Sequence, residues 1–305
     1  MLTPVMETVE LRPATDDDVE ALAAIQDAED IAWWGAPDGD VDDMRTELER
    51  VRFAHGSLEP ATRIALVAGR PVGSVLLSGR GRADMATDPS HGAQVVAEVR
   101  RRLVAWAVEA GATTMESLAQ DHGRLATLAE FGFHPSRSSF ELERSADVSD
   151  LGPTRWPAGI APAPFRPAVD DEEVHEMIYS VWLDVEGHTY RPLEEWRTLF
   201  LADPSFDPDL AIVARRDDGI GPVAGFAVGR VFTGTVGWVS QVAVGRPDRG
   251  VGLGRALLVE AFTRLAARDV EILGLGVEAA NATALGLYRS VGLEVTREFV
   301  HCTRA

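Results

Sequence analysis

Lysine is missing from this chain altogether, because all 29 of its basic residues are arginine. A catalytic lysine is thereby excluded. Cysteine occurs once, at Cys302, so no internal disulfide can form. No apolar run approaches the roughly 20 residues that span a bilayer, since Arg, Asp or Glu interrupts every hydrophobic stretch. The opening MLTPVMETVE has neither the basic start nor the apolar block of a secretory signal. These absences lead to the expectation of a cytoplasmic protein with no membrane partner. Positive charge is also scarce: 29 basic residues face 48 acidic ones, a formal net charge of −19. Phosphate backbones are bound by clusters of positive charge, so nucleic acid is excluded as a partner. The histidines show no metal-ligand spacing, and no metal is expected.

What is present is a repeated pattern. At 305 residues and 46% hydrophobic content, the chain has room for one large domain or two of about 150 residues. LRPATDDDV at 11–19 and FRPAVDDEEV at 165–174 share a strand-like entry followed by an acidic helix start. An offset of 158 then places Pro89 on Pro247 and Gly92 on Gly250. It also lays Val95, Val99, Leu103, Val104, Ala107 and Val108 over Leu253, Leu257, Ala261, Phe262, Leu265 and Ala266, one apolar stripe of an α-helix. An offset of 160 superposes Leu125, Gly132 and Phe133 on Leu285, Gly292 and Leu293. Self-similarity at half the length means duplication. The Pro/Gly/Ala-rich stretch 145–159 reads as a linker, which gives domains at 1–144 and 160–305. In the second, strands are expected near 210–215, 223–232, 235–244, 271–277 and 294–302, with helices near 171–183, 193–201, 252–267 and 281–291. The class is mixed α/β, a mostly antiparallel sheet flanked by helices.

The two copies differ most at one loop. RPDRGVGLGRALL at 246–258 carries three glycines, Gly250, Gly252 and Gly254; DPSHGAQVVAEVR at 88–100 carries one. Glycines let backbone amides converge, and a helix start adds partial positive charge, so such a loop can hold a phosphate without lysine. The same residues also fit a plain strand-to-helix turn. No Gly-Lys-Ser/Thr ends the loop, and no repeating parallel βαβ pattern surrounds it, so neither a nucleoside-triphosphate loop nor a dinucleotide fold applies.

The segment Arg249, Gly250, Val251, Gly252, Leu253, Gly254 resembles the acetyl-CoA loop, Arg/Gln-x-x-Gly-x-Gly/Ala, of the GNAT acetyltransferase superfamily. NATALGLYRSVGL at 281–293 is similar to that family's following Asn…Leu-Tyr…Gly element, and the tandem arrangement looks like that of the mycothiol synthases. The resemblance implies acetyl-CoA as co-substrate. It implies a pantetheine arm held by the strand segment Val242, Ala243 and Val244, a pyrophosphate held by 249–255 including Arg255, and Asn281 as a further cofactor contact. By the same resemblance Tyr288 is the general acid for the departing thiolate; from spacing alone it is equally a core aromatic. Asn281 is also a good helix N-cap. Many relatives carry a carboxylate base on the strand before the loop, where Trp238 and Ser240 stand here; Glu278 is the substitute, or a surface residue at a helix start. In SVWLDVEGHTYRPLEEW at 180–196, Trp182, Asp184, Glu186, His188 and Trp196 are candidates for the acceptor pocket, although tryptophans there also suit a core. Cys302 reads as an inert buried thiol. In the first copy Gln94 and Val96 replace two glycines, Leu128 replaces Tyr288 and Asp121 replaces Asn281, so that half is expected to be non-catalytic. The expected function is transfer of acetyl from acetyl-CoA to an amine of a small polar acceptor, by direct attack in the second half. Mycothiol synthesis proper is one alternative, and a non-catalytic acyl-CoA sensor or structural module is the other.

Overall fold

The duplication seen in the sequence reappears as two runs of one element order. The computed structural model describes residues 8–182, 190–203, 205–232 and 235–305. The first run is β1 (Val9–Arg12), α1 (Val19–Trp34), α2 (Val41–His55), β2 (Thr62–Val67), β3 (Arg70–Ser78), β4 (Arg82–Thr87), α3 (Ala93–Glu109), β5 (Thr114–Leu118), α4 (His122–Glu130) and β6 (His134–Ser145). The second is β7 (Ile160–Pro164), α5 (Asp171–Trp182), α6 (Leu193–Trp196), β8 (Ala211–Arg215), the single turn α7 (Arg216–Gly219), β9 (Val223–Phe232), β10 (Val236–Val244), α8 (Leu253–Ala266), β11 (Ile272–Glu278), α9 (Ala282–Arg289) and β12 (Glu294–Thr303). A five-residue π-helical turn, Arg197–Leu201, continues α6. Within the two units β1–β2, β2–β3, β3–β4, β5–β12, β7–β8, β8–β9 and β9–β10 pair antiparallel, whereas β4 with β5 and β10 with β11 are parallel.

The acidic clusters serve as helix starts, as their composition suggests. Asp40 caps α2 by accepting from the amides of Asp42 and Asp43, where the helix dipole also favours negative charge. The apolar stripes are buried: Val99, Leu103, Val104 and Ala107 in α3, and Leu257, Phe262 and Leu265 in α8, are all 0% exposed. In the second unit the sheet buries both faces. Residues of α8 cover Leu273 and Leu275, while Val174, Ile178 and Tyr179 of α5 cover Val213, Phe226 and Val228. Among the described residues β7 pairs with β8 alone, and its Pro162 and Pro164 suit an edge, where a missing amide costs no ladder bond.

Three of the expected boundaries differ in the structure. The first unit comprises Met1–Ser139 together with Glu298–Ala305, and the second Phe140–Arg297, instead of 1–144 and 160–305. The reason is strand pairing: Phe299–Thr303 of β12 run antiparallel to Thr114–Leu118 of β5. His301 is pinned there with Nδ1 2.9 Å from Glu116 and Nε2 2.8 Å from the Ser139 hydroxyl. Nor is 145–159 a free linker. Val148, Leu151 and Trp156 pack on the α8-side core, and the Thr154 hydroxyl donates to Glu260 at 3.1 Å.

Candidate active site

In the second unit β10 and β11 pair only from Val236 with Ile272 to Trp238 with Gly274. Beyond that point they diverge and open a fork, while β10 stays paired with β9 as far as Val244. The Gly245 amide donates to Ala224 on β9 at 2.8 Å. Successive amides of a strand alternate between its edges, so the N–H groups of Val242 and Val244 point into the fork. The ladder with β9 slips between Val239 and Gln241, which leaves Ser240 as the extra residue of a bulge.

Past the strand, a turn at Arg246–Asp248 leads into the glycine loop. Asp248 is buried and holds Arg216 at 2.6 and 3.0 Å, which fixes the turn. Gly250 and Gly252 adopt φ of +78° and +92°, the left-handed region that disfavours side chains. A Cβ at either would meet no atom within 4 Å, so conformation, not crowding, demands glycine there. The space above the loop is open to a ligand. Gly254 differs: a Cβ there would stand 3.3 Å from Leu287 of α9. Arg249 Nε lies 3.3 Å from the Val244 carbonyl, and Arg255 Nη1 lies 3.2 Å from that of Ser290.

Tyr288, 6% exposed, sits in the α8-side core, and burial alone pushes its phenol up to about 12. Asn281 caps α9, its side chain accepting from the Ala284 amide at 3.1 Å. Asp121 does the same for α4, accepting from Arg124 at 2.9 Å, which verifies the 160-residue correspondence. Replacing Asn281 with Ala is expected to lower stability by about 1 kcal/mol, readable by urea unfolding. Glu278 ends β11 half-buried. The Trp238 indole lies along β11, where a Cβ on Gly274 would come within 2.5 Å of it. Trp196 is 4% exposed and stacks on Phe200 at 5.3 Å, a core position. Trp182 is half-buried, 6.3 Å from Tyr179. Asp184, Glu186 and His188 lie outside the described residues. Burial pushes the Cys302 thiol up, which suits an inert group.

One residue escaped the sequence reading. Gln241 is 5% exposed, and its Oε1 has no hydrogen-bond partner among the described residues. The signal was a single carboxamide inside the apolar run VSQVAV, but the bulge that sets its facing is not legible there.

The first unit has the same fork, β4 pairing with β5 only at Arg82–Thr114 and Ala83–Met115. Its loop is different. Gly92 keeps a positive φ of 85°, but α3 begins at Ala93, so Gln94 is wound into the helix where Gly252 would hold a left-handed turn. A buried charge network joins the surrounding elements. Glu29 of α1 accepts from the Thr87 amide at 3.1 Å and from Arg124, while Arg100 holds Asp121 at 2.8 Å.

Together these features define a class: mixed α/β units, here in tandem, whose sheet opens a fork beside a glycine-lined helix start. The acetyltransferase (GNAT) family description matches residues 172–293. Mycothiol acetyltransferase from Clavibacter michiganensis is 32% identical over 236 residues, covering 72% of this chain and 72% of that protein. The protein of that name from Kineococcus radiotolerans is 32% identical over 203 residues, 66% of this chain, and the match spans 63% of that relative's length. Among solved structures, a GCN5-related N-acetyltransferase from Sphaerobacter thermophilus superposes with a TM-score of 0.79 at 23% identity, covering 96% and 94% of the two chains. A tandem GNAT protein from the clavulanic acid biosynthesis pathway gives 0.73 at 18% identity, covering 97% and 98%. This chain belongs to the GNAT acetyltransferase family. Acetyltransferases of this family use acetyl-CoA. Among the described residues no group of His, Cys, Asp and Glu is arranged to hold a metal ion, and no helix is long and apolar enough to cross a membrane.

Proposed function

We propose that this chain is an acetyl-CoA-dependent N-acyltransferase in which the second unit carries the reaction and the first does not. The observation that carries this reading is the backbone at Gly250 and Gly252. Two left-handed residues lie under open space at the start of the 14-residue α8, beside the outward amides of Val242 and Val244. Oriented amides and a helix N-terminus suit a diphosphate even on an acidic protein, and Arg249 and Arg255 flank the same loop. Acetyl-CoA supplies the activated acyl group. The Val242 amide donates toward the thioester oxygen as negative charge develops, a contribution of about 3 kcal/mol for one such donor. An acceptor amine attacks directly, so a C–N bond forms as the C–S bond breaks. The amine's surplus proton passes to water or to Glu278, and Tyr288 donates a hydrogen bond to the departing sulfur.

The names of the curated relatives favour one finer reading, acetylation of a mycothiol precursor amine. Trp238, standing where many relatives carry a carboxylate, weighs against simple identity with them.

Thiol release from acetyl-CoA, measured with an amino-acid amide, an aminosugar and an alkylamine, tests the proposal. Coenzyme binding without release in any of them would favour a sensor. Gly252→Gln transplants the first unit's residue; the left-handed conformation costs a side chain about 1 to 2 kcal/mol. The helix is then expected to start earlier and consume the loop amides, so calorimetry should show at least about a tenfold loss of CoA affinity. Unchanged affinity would remove the loop from the site.

A further inference from the structure

We infer that Gln241 receives and orients the acceptor amine. The inference rests on the acyltransferase reading of the second unit and adds a positioning residue to it.

Position comes first. Gln241 lies three residues beyond Trp238, where the fork opens, and it pairs with Val228 of β9. Val228 packs with Phe165 and Ile178, so Gln241 is on the α5 face of the sheet. The bulge at Ser240 brings this about, for without it residue 240 would follow Trp238 on that face. The ladder irregularity thus turns a carboxamide onto the α5 face, one residue before Val242 at the fork.

Satisfaction comes second. Buried polar atoms nearly always have partners, and an exception calls for a cause. Gln241 Oε1 is such an exception among the described residues. A strand of valines and alanines would pack here with an apolar side chain, so retention of an unpaired acceptor points to a ligand that completes it.

Chemistry comes third. A carboxamide oxygen accepts an N–H but cannot take a proton, whereas a neutral amine can donate one N–H and keep its lone pair free. An ammonium group would lack both the lone pair and a carboxylate on β10. The neighbouring charges on this face are already matched: Arg230, opposite Trp238, pairs with Asp203 at 3.0 Å, and Arg215 pairs with Asp170 at 2.8 Å. On α5, the His175 ring lies 2.9 Å from the Arg191 carbonyl and 4.6 Å from Tyr179. Glu278 ends the opposite arm of the fork. In the step itself the nitrogen lone pair forms the C–N bond, the C–S electron pair leaves on sulfur beside Tyr288, and the proton still on nitrogen goes to water.

The experiment follows kcat/KM against pH from 6 to 10 for two acceptors, an α-amino amide and a simple alkylamine, whose ammonium groups titrate near about 8 and about 10.4. For the parent, each profile should rise with the amine's own titration, so the α-amino amide leads by about a hundredfold at neutral pH. Gln241→Leu should raise the amine KM at least tenfold while leaving the acetyl-CoA KM and CoA affinity unchanged. It should also hold or raise Tm, by about 2 to 4 °C, since an unpaired buried acceptor is removed. Gln241→Glu should move the rising limb below the amine's own titration. A parent-like amine KM in Gln241→Leu, or a Tm several degrees lower, overturns the inference and leaves the acyltransferase reading standing. A parent that binds CoA and acetylates neither amine sinks both.

Discussion

Tyr288→Phe is expected to lower kcat for thiol release by a factor of about 10² or more, the range for a lost acid-base group, with CoA affinity nearly unchanged. The phenol is held at about 12, so it is protonated throughout the neutral range. A thiol titrates near about 8.5, and complete transfer from this phenol to a thiolate is therefore uphill. Under the proposed reaction the group would act by donating a hydrogen bond as charge builds on sulfur, with water completing the protonation. The sign for pH dependence follows. A group raised in this way keeps its proton as pH climbs, so activity rises with deprotonation of the amine and shows no Tyr288-dependent fall below about pH 11. Because burial alone causes the shift, removing the hydroxyl leaves no partner stranded, and Tm should hold or rise. A variant with parent kcat would return Tyr288 to the rank of a core aromatic.

Glu29→Ala is expected to destabilise the first unit by about 3 to 5 kcal/mol, the usual result of removing one partner from a buried ionic network. Glu29 and Arg124 are each 7% exposed, and Glu29 also accepts from the amide and hydroxyl of Thr87. Deleting the carboxylate leaves Arg124 with Asp121 at 3.7 Å as its remaining ion-pair partner among the described residues, and strands the Thr87 amide. Urea unfolding of the full chain should show an early transition, while CoA titration of the still-folded protein should match the parent. A loss below about 1 kcal/mol would mean that water or relaxation replaces the carboxylate. A gain of coenzyme binding in this variant would instead show that the network blocks a competent cleft.

The sequence exposed what is local and periodic. The 3.6-residue stripe from Leu253 to Leu265 gave α8, and the acidic start at Asp171 gave α5, to within a residue or two. The strand expected at 223–232 is β9 as observed. The glycine loop itself was marked by Gly250, Gly252 and Gly254, and the structure adds that Gly250 and Gly252 are left-handed. What stayed hidden depends on distant partners. Trp156 looks like linker because its neighbours are Pro and Arg, yet it packs on a core built a hundred residues later. The facing of Gln241 depends on one supernumerary residue, Ser240, whose effect is set by pairing with β9. The network of Glu29, Arg100, Asp121 and Arg124 joins three helices, and nothing in the spacing of these residues announces it.

The placement of the last eight residues has a bearing on how this protein comes into being. With Phe299–Thr303 needed beside β5, a ribosome must make the whole of the second unit before the first can close its sheet. Until then the Met115 and Ser117 strand presents unpaired backbone to the cell. Nascent chains stalled or proteolysed before Phe299 should therefore be handed to chaperones as aggregation-prone species, with the damage surfacing in the first unit.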